Sequence, residues 1–195
     1  MLNAPGRPLP GGAPYGGTLR PAEFGPDVWV GAHCLIQRGV TLGASVVVDD
    51  GCRIEAGATV EARTLVTYRA HVCADTHVGP DCVIGGFIGE RATVGSHSRV
   101  FGSIVHQHLD PTRPWDAPAS MEPAATVHDH VMIGFGALIT RDVSIGPASY
   151  VCAGAIVSRD VPPQHIAYGV NELCPAGDWR GPLNTSALFH VKGPA

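Results

Sequence analysis

Aliphatic residues recur at every sixth place along this chain. From Val30 the series runs Ile36, Leu42, Val48, Ile54, Val60, Val66, Val72, Val78 and Ile84 without one polar member. The residue four places after each is small at Cys34, Val40, Val46, Cys52, Ala58, Thr64, Ala70, Thr76 and Cys82, and only Ile88 is large. Gly or an acid often follows the aliphatic, as at Gly31, Gly43, Asp49, Glu55, Glu61 and Gly79. The phase slips after Ile84 and resumes at Ile88, Val94 and Val100. After a break it returns as Val127, Ile133, Ile139, Ile145, Val151 and Val157.

Six is not a helical period, and simple strand alternation would not single out every third inward place. The pattern predicts short strands joined by tight corners. One aliphatic per strand points inward, a small residue packs at each corner, and Gly or a polar residue takes the turn. Three strands make an 18-residue triangular coil, and coils stack at the parallel-sheet spacing of about 4.8 Å. Each coil buries its faces only against its neighbours, so the stack shares one core. Cys34 and Cys52 fall 18 residues apart, and we read them as small core fillers rather than a redox pair.

Composition narrows the class. The chain has 195 residues, 45% hydrophobic and 15% charged, with 25 Gly and 17 Pro. That balance fits one ordered, turn-rich domain and not a disordered chain. A net charge of −4 without a Lys/Arg block argues against a nucleic-acid partner. No apolar run reaches the ~18 residues of a membrane span, and MLNAPGRPLPGGAPYGG lacks a secretory pattern. The six cysteines include no CxxC pair and read as reduced thiols, which places the protein in the cytoplasm.

The repeat resembles the hexapeptide of the left-handed β-helix acyltransferases. The stretch HDHVMIGFGALITRDVSIGPASYVCAGAIVSRDVPPQHIAYGVN, residues 128–171, is similar to the closing coils of galactoside, maltose and xenobiotic acetyltransferases. The expected fold is therefore all-β. A left-handed parallel β-helix occupies residues 28–162, with one long excursion loop over 106–126. Residues 1–27 are expected to be an irregular Gly/Pro-rich segment. Residues 163–195 form a C-terminal tail with a short helix near Ser186–Val191, capped at Asn184 or Thr185. The left hand and a homotrimer, with active sites between neighbouring prisms, are implied by the resemblance alone.

The excursion is SIVHQHLDPTRPWDAPASMEPAATV, residues 103–127. Val100 predicts the next aliphatic at 106, where His106 stands instead. Long loops without secondary structure of their own are often functional. In the resembling enzymes this loop opens on the histidine that serves as general base, followed seven residues later by an arginine. Carried over, these are His106 and Arg113, although the family's His-Pro reads here as His-Gln-His, which brings in His108. An imidazole with a pKa of ~6.5 suits removal of a proton near neutral pH. Asp110, Asp116 and Glu122 are candidate contacts for a cationic acceptor, and Trp115 for a ring or sugar; the same residues also serve simply to solvate a loop.

The resemblance implies an acyl-coenzyme A, acetyl-CoA above all, as co-substrate, and no metal. Its pantetheine arm is expected along Phe135-Gly136 and Ala153-Gly154, which are 18 residues apart. Ser158 and Arg159 match the family's Ser/Thr-Lys near the nucleotide end, where a cation meets phosphate; Arg180 is a weaker candidate for the same role. Two rival readings stay open. The pairs His106-Gln-His108 and His128-Asp-His130 each place two imidazoles on one side of an extended strand, a zinc-type arrangement. The same fold hosts the zinc-binding gamma-class carbonic anhydrases, whose wider ligand spacing is absent. The third reading is a non-catalytic scaffold.

Overall fold

The computed structural model describes residues 2–4, 20–105, 112, 123–140, 142–181 and 183. Within them the chain coils as a parallel β-helix with three faces. The first face stacks eight strands: Leu2–Ala4, Leu35–Gln37, Arg53–Ile54, His71–Val72, Phe87–Ile88, Ser103–Val105, Leu138–Thr140 and Ile156–Val157. The second face stacks seven strands, from Glu23–Phe24 to Ser144–Ile145. The third stacks eight parallel strands, from Trp29–Val30 to His165–Tyr168, and closes with a ninth, the antiparallel Glu172–Pro175. The ladder thus reaches beyond 28–162 at both ends, and strands Leu2–Ala4 and Glu23–Phe24 lie in the segment expected to be irregular. The expected tail helix at Ser186–Val191, with its caps Asn184 and Thr185, falls outside the described residues. The described helix there is a single 3-10 turn, Ala176–Asp178.

The period of six becomes geometry in the register. Ile36 sits over Ile54, Leu42 over Val60, and Val48 over Val66. Every member of the aliphatic series from Ile36 to Val157 is buried, and only Val30, in the outermost described coil of its face, is partly exposed. The small corner residues are small for space and polar for a further reason. Cys34 Sγ donates to Asp49 O at 3.0 Å, Thr64 Oγ1 to Gly79 O at 3.0 Å, Thr76 Oγ1 to Gly89 O at 3.0 Å, and Ser98 Oγ to His128 O at 3.0 Å. Each of these four corner carbonyls gains a donor from a side chain. Unsatisfied, a buried group of this kind costs about 1–3 kcal/mol. Cys34 and Cys52 are free thiols in the core, as the small-filler reading expected.

The turns recur in the left-handed region at Asp27, Ser45, Arg63, Asp81, His97 and His130. Outside glycine this conformation costs roughly 1–2 kcal/mol. The amides of five of them return a hydrogen bond to the coil below: Ser45 N to Pro26 O, Arg63 N to Ala44 O, Asp81 N to Ala62 O, His97 N to Pro80 O and His130 N to Ser96 O, all 2.8–3.0 Å. The outer column is pinned further by the bidentate Arg63–Asp81 pair, at 2.7 and 2.6 Å.

Two successive coils are shortened at the same corner. Between the third and first faces, Ile84 to Ile88 and Val100 to Ile104 each span four residues instead of six, and the register pairs Val72 with Ile88 and Ile88 with Ile104. Glycine makes this possible. A Cβ on Gly86 would sit 1.8 Å from Gly102 O, and one on Gly102 would sit 2.6 Å from Ala137 O. This corrects one expectation. The inward place after Val100 is taken by Ile104, buried at 2% exposure, and not by residue 106. The strand runs on to Val105.

Candidate functional site

The corner that carries the shortened coils also carries the expected carrier positions. Gly134-Phe135-Gly136-Ala137 and Cys152-Ala153-Gly154-Ala155 are stacked β-turns. Each closes by an i to i+3 bond, Ala137 N to Gly134 O at 3.2 Å and Ala155 N to Cys152 O at 3.1 Å. The third residue of each has positive φ, 69° at Gly136 and 72° at Gly154, as a type II turn requires. The two turns are tied by Gly154 N donating to Phe135 O at 3.0 Å, so Phe135 and Ala153 stack as their spacing predicted. Beside both glycines the space is open, since an added Cβ would meet nothing within 4 Å. The turns therefore present backbone and one exposed ring on an open surface.

That ring belongs to a ladder the sequence reading missed. Phe135 stacks on Phe101 with centroids 4.6 Å apart and planes 18° apart, and Tyr68 meets both edge-on at 5.6 and 6.0 Å. Tyr68 is 65% exposed and Phe135 55%. Spacing hid the ladder, because the short coils and the excursion put these rings at intervals other than 18. Gly85 completes the fit, since its Cβ would meet Phe101 at 2.6 Å and Tyr68 at 2.9 Å.

Strand Leu138–Thr140 follows the Gly136 turn and pairs with Ser103–Val105. Val105, the residue before the expected excursion, lies opposite Thr140. From Gly136 to Thr140 is four residues, roughly 13 Å of extended chain. His106, His108, Asp110, Arg113 and Trp115, with Asp116 and Glu122, lie outside the described residues.

One strand further on, Ser158 and Arg159 are held by Asn171. Ser158 N donates to Asn171 Oδ1 at 2.8 Å, and Asn171 Nδ2 donates to Ser158 Oγ at 2.8 Å. Arg159 Nη2 donates to Asn171 O. An arginine has five donors, so this bond does not exhaust it. Asn171 has φ 59°, a left-handed residue that asparagine adopts more readily than most. The turn after Tyr168 thus orients both residues expected near a nucleotide. Arg180 is exposed on the tail. The described half of the histidine-rich rival does not converge. His128 Nε2 lies 3.1 Å from Ser144 Oγ, while His130 stacks on His97 at 4.9 Å with planes 4° apart.

A family model for the bacterial transferase hexapeptide (six repeats) matches residues 24–62. The chain carries that hexapeptide repeat and folds as the parallel β-helix the repeat builds. This hexapeptide-repeat protein is 27% identical over 173 residues to the bifunctional protein GlmU of Kineococcus radiotolerans, covering 80% of this chain and 31% of the relative. It is 29% identical over 160 residues to the serine acetyltransferase of Mycobacterium tuberculosis, covering 77% of this chain and 63% of the relative. It therefore spans less than two thirds of either. Among solved structures, the Francisella novicida UDP-N-acetylglucosamine acyltransferase superposes with a TM-score of 0.50 at 16% identity, covering 79% of this chain and 65% of that one. That likeness is one of fold.

Proposed function

We propose that this hexapeptide-repeat protein is a coenzyme A-dependent acyltransferase that moves an acyl group, acetyl first, onto a hydroxyl or amine of a small molecule. The observation that carries the reading is the open wall made by the turns at Phe135-Gly136 and Ala153-Gly154, about 13 Å of chain from the end of strand Ser103–Val105. A pantetheine arm is long, thin and rich in amides, and it suits a wall of backbone groups with an exposed ring. The relatives include a serine acetyltransferase, which supports the same chemistry.

In this reading His106 removes the acceptor's proton, and His108 orients it or the acceptor. The nucleophile attacks the thioester carbonyl, and a backbone N–H stabilises the oxyanion. The tetrahedral intermediate collapses, the carbon–sulfur bond breaks, and coenzyme A leaves as the thiol with the proton His106 received. Asp110, Arg113 and Trp115 hold the acceptor. Ser158 and Arg159 meet the nucleotide end of the coenzyme. The working unit is a homotrimer in the cytoplasm, tested by light scattering; a fully active monomer would refute it. Among the described residues no helix is long and apolar enough to cross a membrane.

The test is thermal stabilisation by coenzyme A. Binding at a hundred times Kd stabilises the folded state by about 2.7 kcal/mol. Ala153 is exposed, so Ala153→Trp covers that surface without entering the core. Wild type should be stabilised by coenzyme A, and Ala153→Trp should fold but lose the shift. No shift in wild type, or an equal shift in both proteins, would refute the placement.

A further inference from the structure

The first face carries a second cluster, four strands from the closing end. Register places Arg53 beside His71 and Ile54 beside Val72, so Glu55 and Cys73 occupy equivalent corner places in successive coils. His71 and Cys73 are two apart along extended chain and project to the same side. An imidazole nitrogen, a Glu55 carboxylate oxygen and the Cys73 sulfur all lie within 4.8 Å of one another. His71 Nε2 is 2.9 Å from Glu55 Oε1, and Phe87 packs edge-on against the imidazole at 5.1 Å.

Cys73 differs from the other buried thiols. Cys34, Cys52 and Cys82 each donate to a carbonyl. Cys73 is only 5% exposed, yet its sulfur has no hydrogen-bond partner among the described residues. Glu55 is similarly one-sided. Its Oε1 receives Arg53 and His71, and its Oε2 has no partner among the described residues. A buried thiol and a carboxylate oxygen without partners, beside an imidazole, form a mixed soft and hard donor set.

We propose that Glu55, His71 and Cys73 bind a thiophilic divalent cation of the zinc class, with a fourth position open to water. Zinc takes sulfur at about 2.3 Å and nitrogen or oxygen at about 2.0–2.2 Å, so tetrahedral ligand atoms sit roughly 3.3–3.8 Å apart. Closing from 4.8 Å to that spacing needs about 1 Å, within the reach of side-chain rotation. The side chains of His71 and Glu55 are 31% and 17% exposed, which gives the ion a path and a water ligand. Without an ion a buried cysteine is a thiol at neutral pH. The cation replaces that proton, which leaves to water, and the thiolate becomes the ligand. The ion would tie two coils together just below the first shortened corner. The site shares no residue with the turns at Phe135-Gly136 and Ala153-Gly154 or with His128 and His130.

Titration of the reduced, metal-free protein with Co²⁺, followed by Zn²⁺ against a chromogenic chelator, tests this. The expected result is one equivalent per chain with a thiolate-to-cobalt charge-transfer band. Cys73→Ala should abolish the band. His71→Ala and Glu55→Gln, both on the outer face, should weaken binding by at least about 100-fold, since even supporting residues of metal sites cost 10- to 100-fold. Cys174→Ala should change nothing. Absence of the band in wild type, its persistence in Cys73→Ala, or unaltered affinity in both outer-face variants would overturn the assignment.

Discussion

Replacing Gly86 with alanine strikes the geometry on which the shortened corner depends. The new Cβ would sit 1.8 Å from Gly102 O, where ordinary contact begins at 3.4 Å. The neighbouring coil would have to retreat by about 1.6 Å, the difference of those two distances. Phe87 N reaches that same oxygen at 3.2 Å, so the retreat also breaks a ladder bond. Overpacking costs about 1–3 kcal/mol, and an orphaned buried donor about 1–3 more. The alanine recovers about 0.4–1 kcal/mol by stiffening the unfolded chain. The net loss is about 1–5.6 kcal/mol. Gly136→Ala provides the contrast, because its Cβ meets nothing and only its φ of 69° is penalised, by about 1 kcal/mol. In a chain of this size 1 kcal/mol shifts Tm by about 2–4 °C. Thermal melts at matched protein concentration should therefore place Gly86→Ala at least about 2 °C below wild type and below Gly136→Ala, which recovers the same unfolded-chain term. Equal losses in the two variants would show that the coils are not in contact at Gly86 as described.

Two further outcomes follow from the charges and thiols. Hydrogen bonds from the Asp50 amide and Thr67 hold Asp49 below the usual carboxylate range, and Arg63 holds Asp81 there. With folded-state values depressed, these groups contribute stability that is complete above the unfolded value of about 3.9 and lost as pH falls through the folded one. Urea midpoints should hold steady from pH 7 to about 5 and drop below about 4, and Asp81→Asn should flatten part of that drop. Burial raises Cys52 and Cys82 to about 11, whereas Cys174 lies nearer the surface. A thiol reagent at pH 8 should label Cys174 in the native protein well before Cys52 or Cys82, as peptide mapping would show.

The coil was legible because each inward place demands an aliphatic of nearly constant volume, so the series Val30 to Ile84 records the wall of the prism directly. The stacking of Phe135 on Ala153 followed from the same 18-residue count. Counting failed where coils shorten. The Gly85-Gly86 and Phe101-Gly102 corners remove two residues each, which moved the inward place from 106 to Ile104 and concealed the Tyr68–Phe101–Phe135 ladder. A pair of adjacent glycines inside a hexad was the available signal. The clasp of Asn171 on Ser158 and Arg159 joins residues 12 and 13 apart through a turn, and no periodicity reports it. The Glu55–His71–Cys73 cluster was hidden differently, because each member occupied a place where the repeat tolerates almost any polar or small residue.

The most direct test of acyl transfer is release of free coenzyme A thiol from acetyl-CoA across a panel of amines and alcohols, run with wild type and His106→Ala. At least one acceptor should support turnover by wild type. The variant should bind coenzyme A normally and turn over about 10²- to 10⁴-fold more slowly, the share a general base contributes. Wild type that binds no coenzyme and releases no thiol with any acceptor, or a His106→Ala variant that keeps the wild-type rate, would contradict the account.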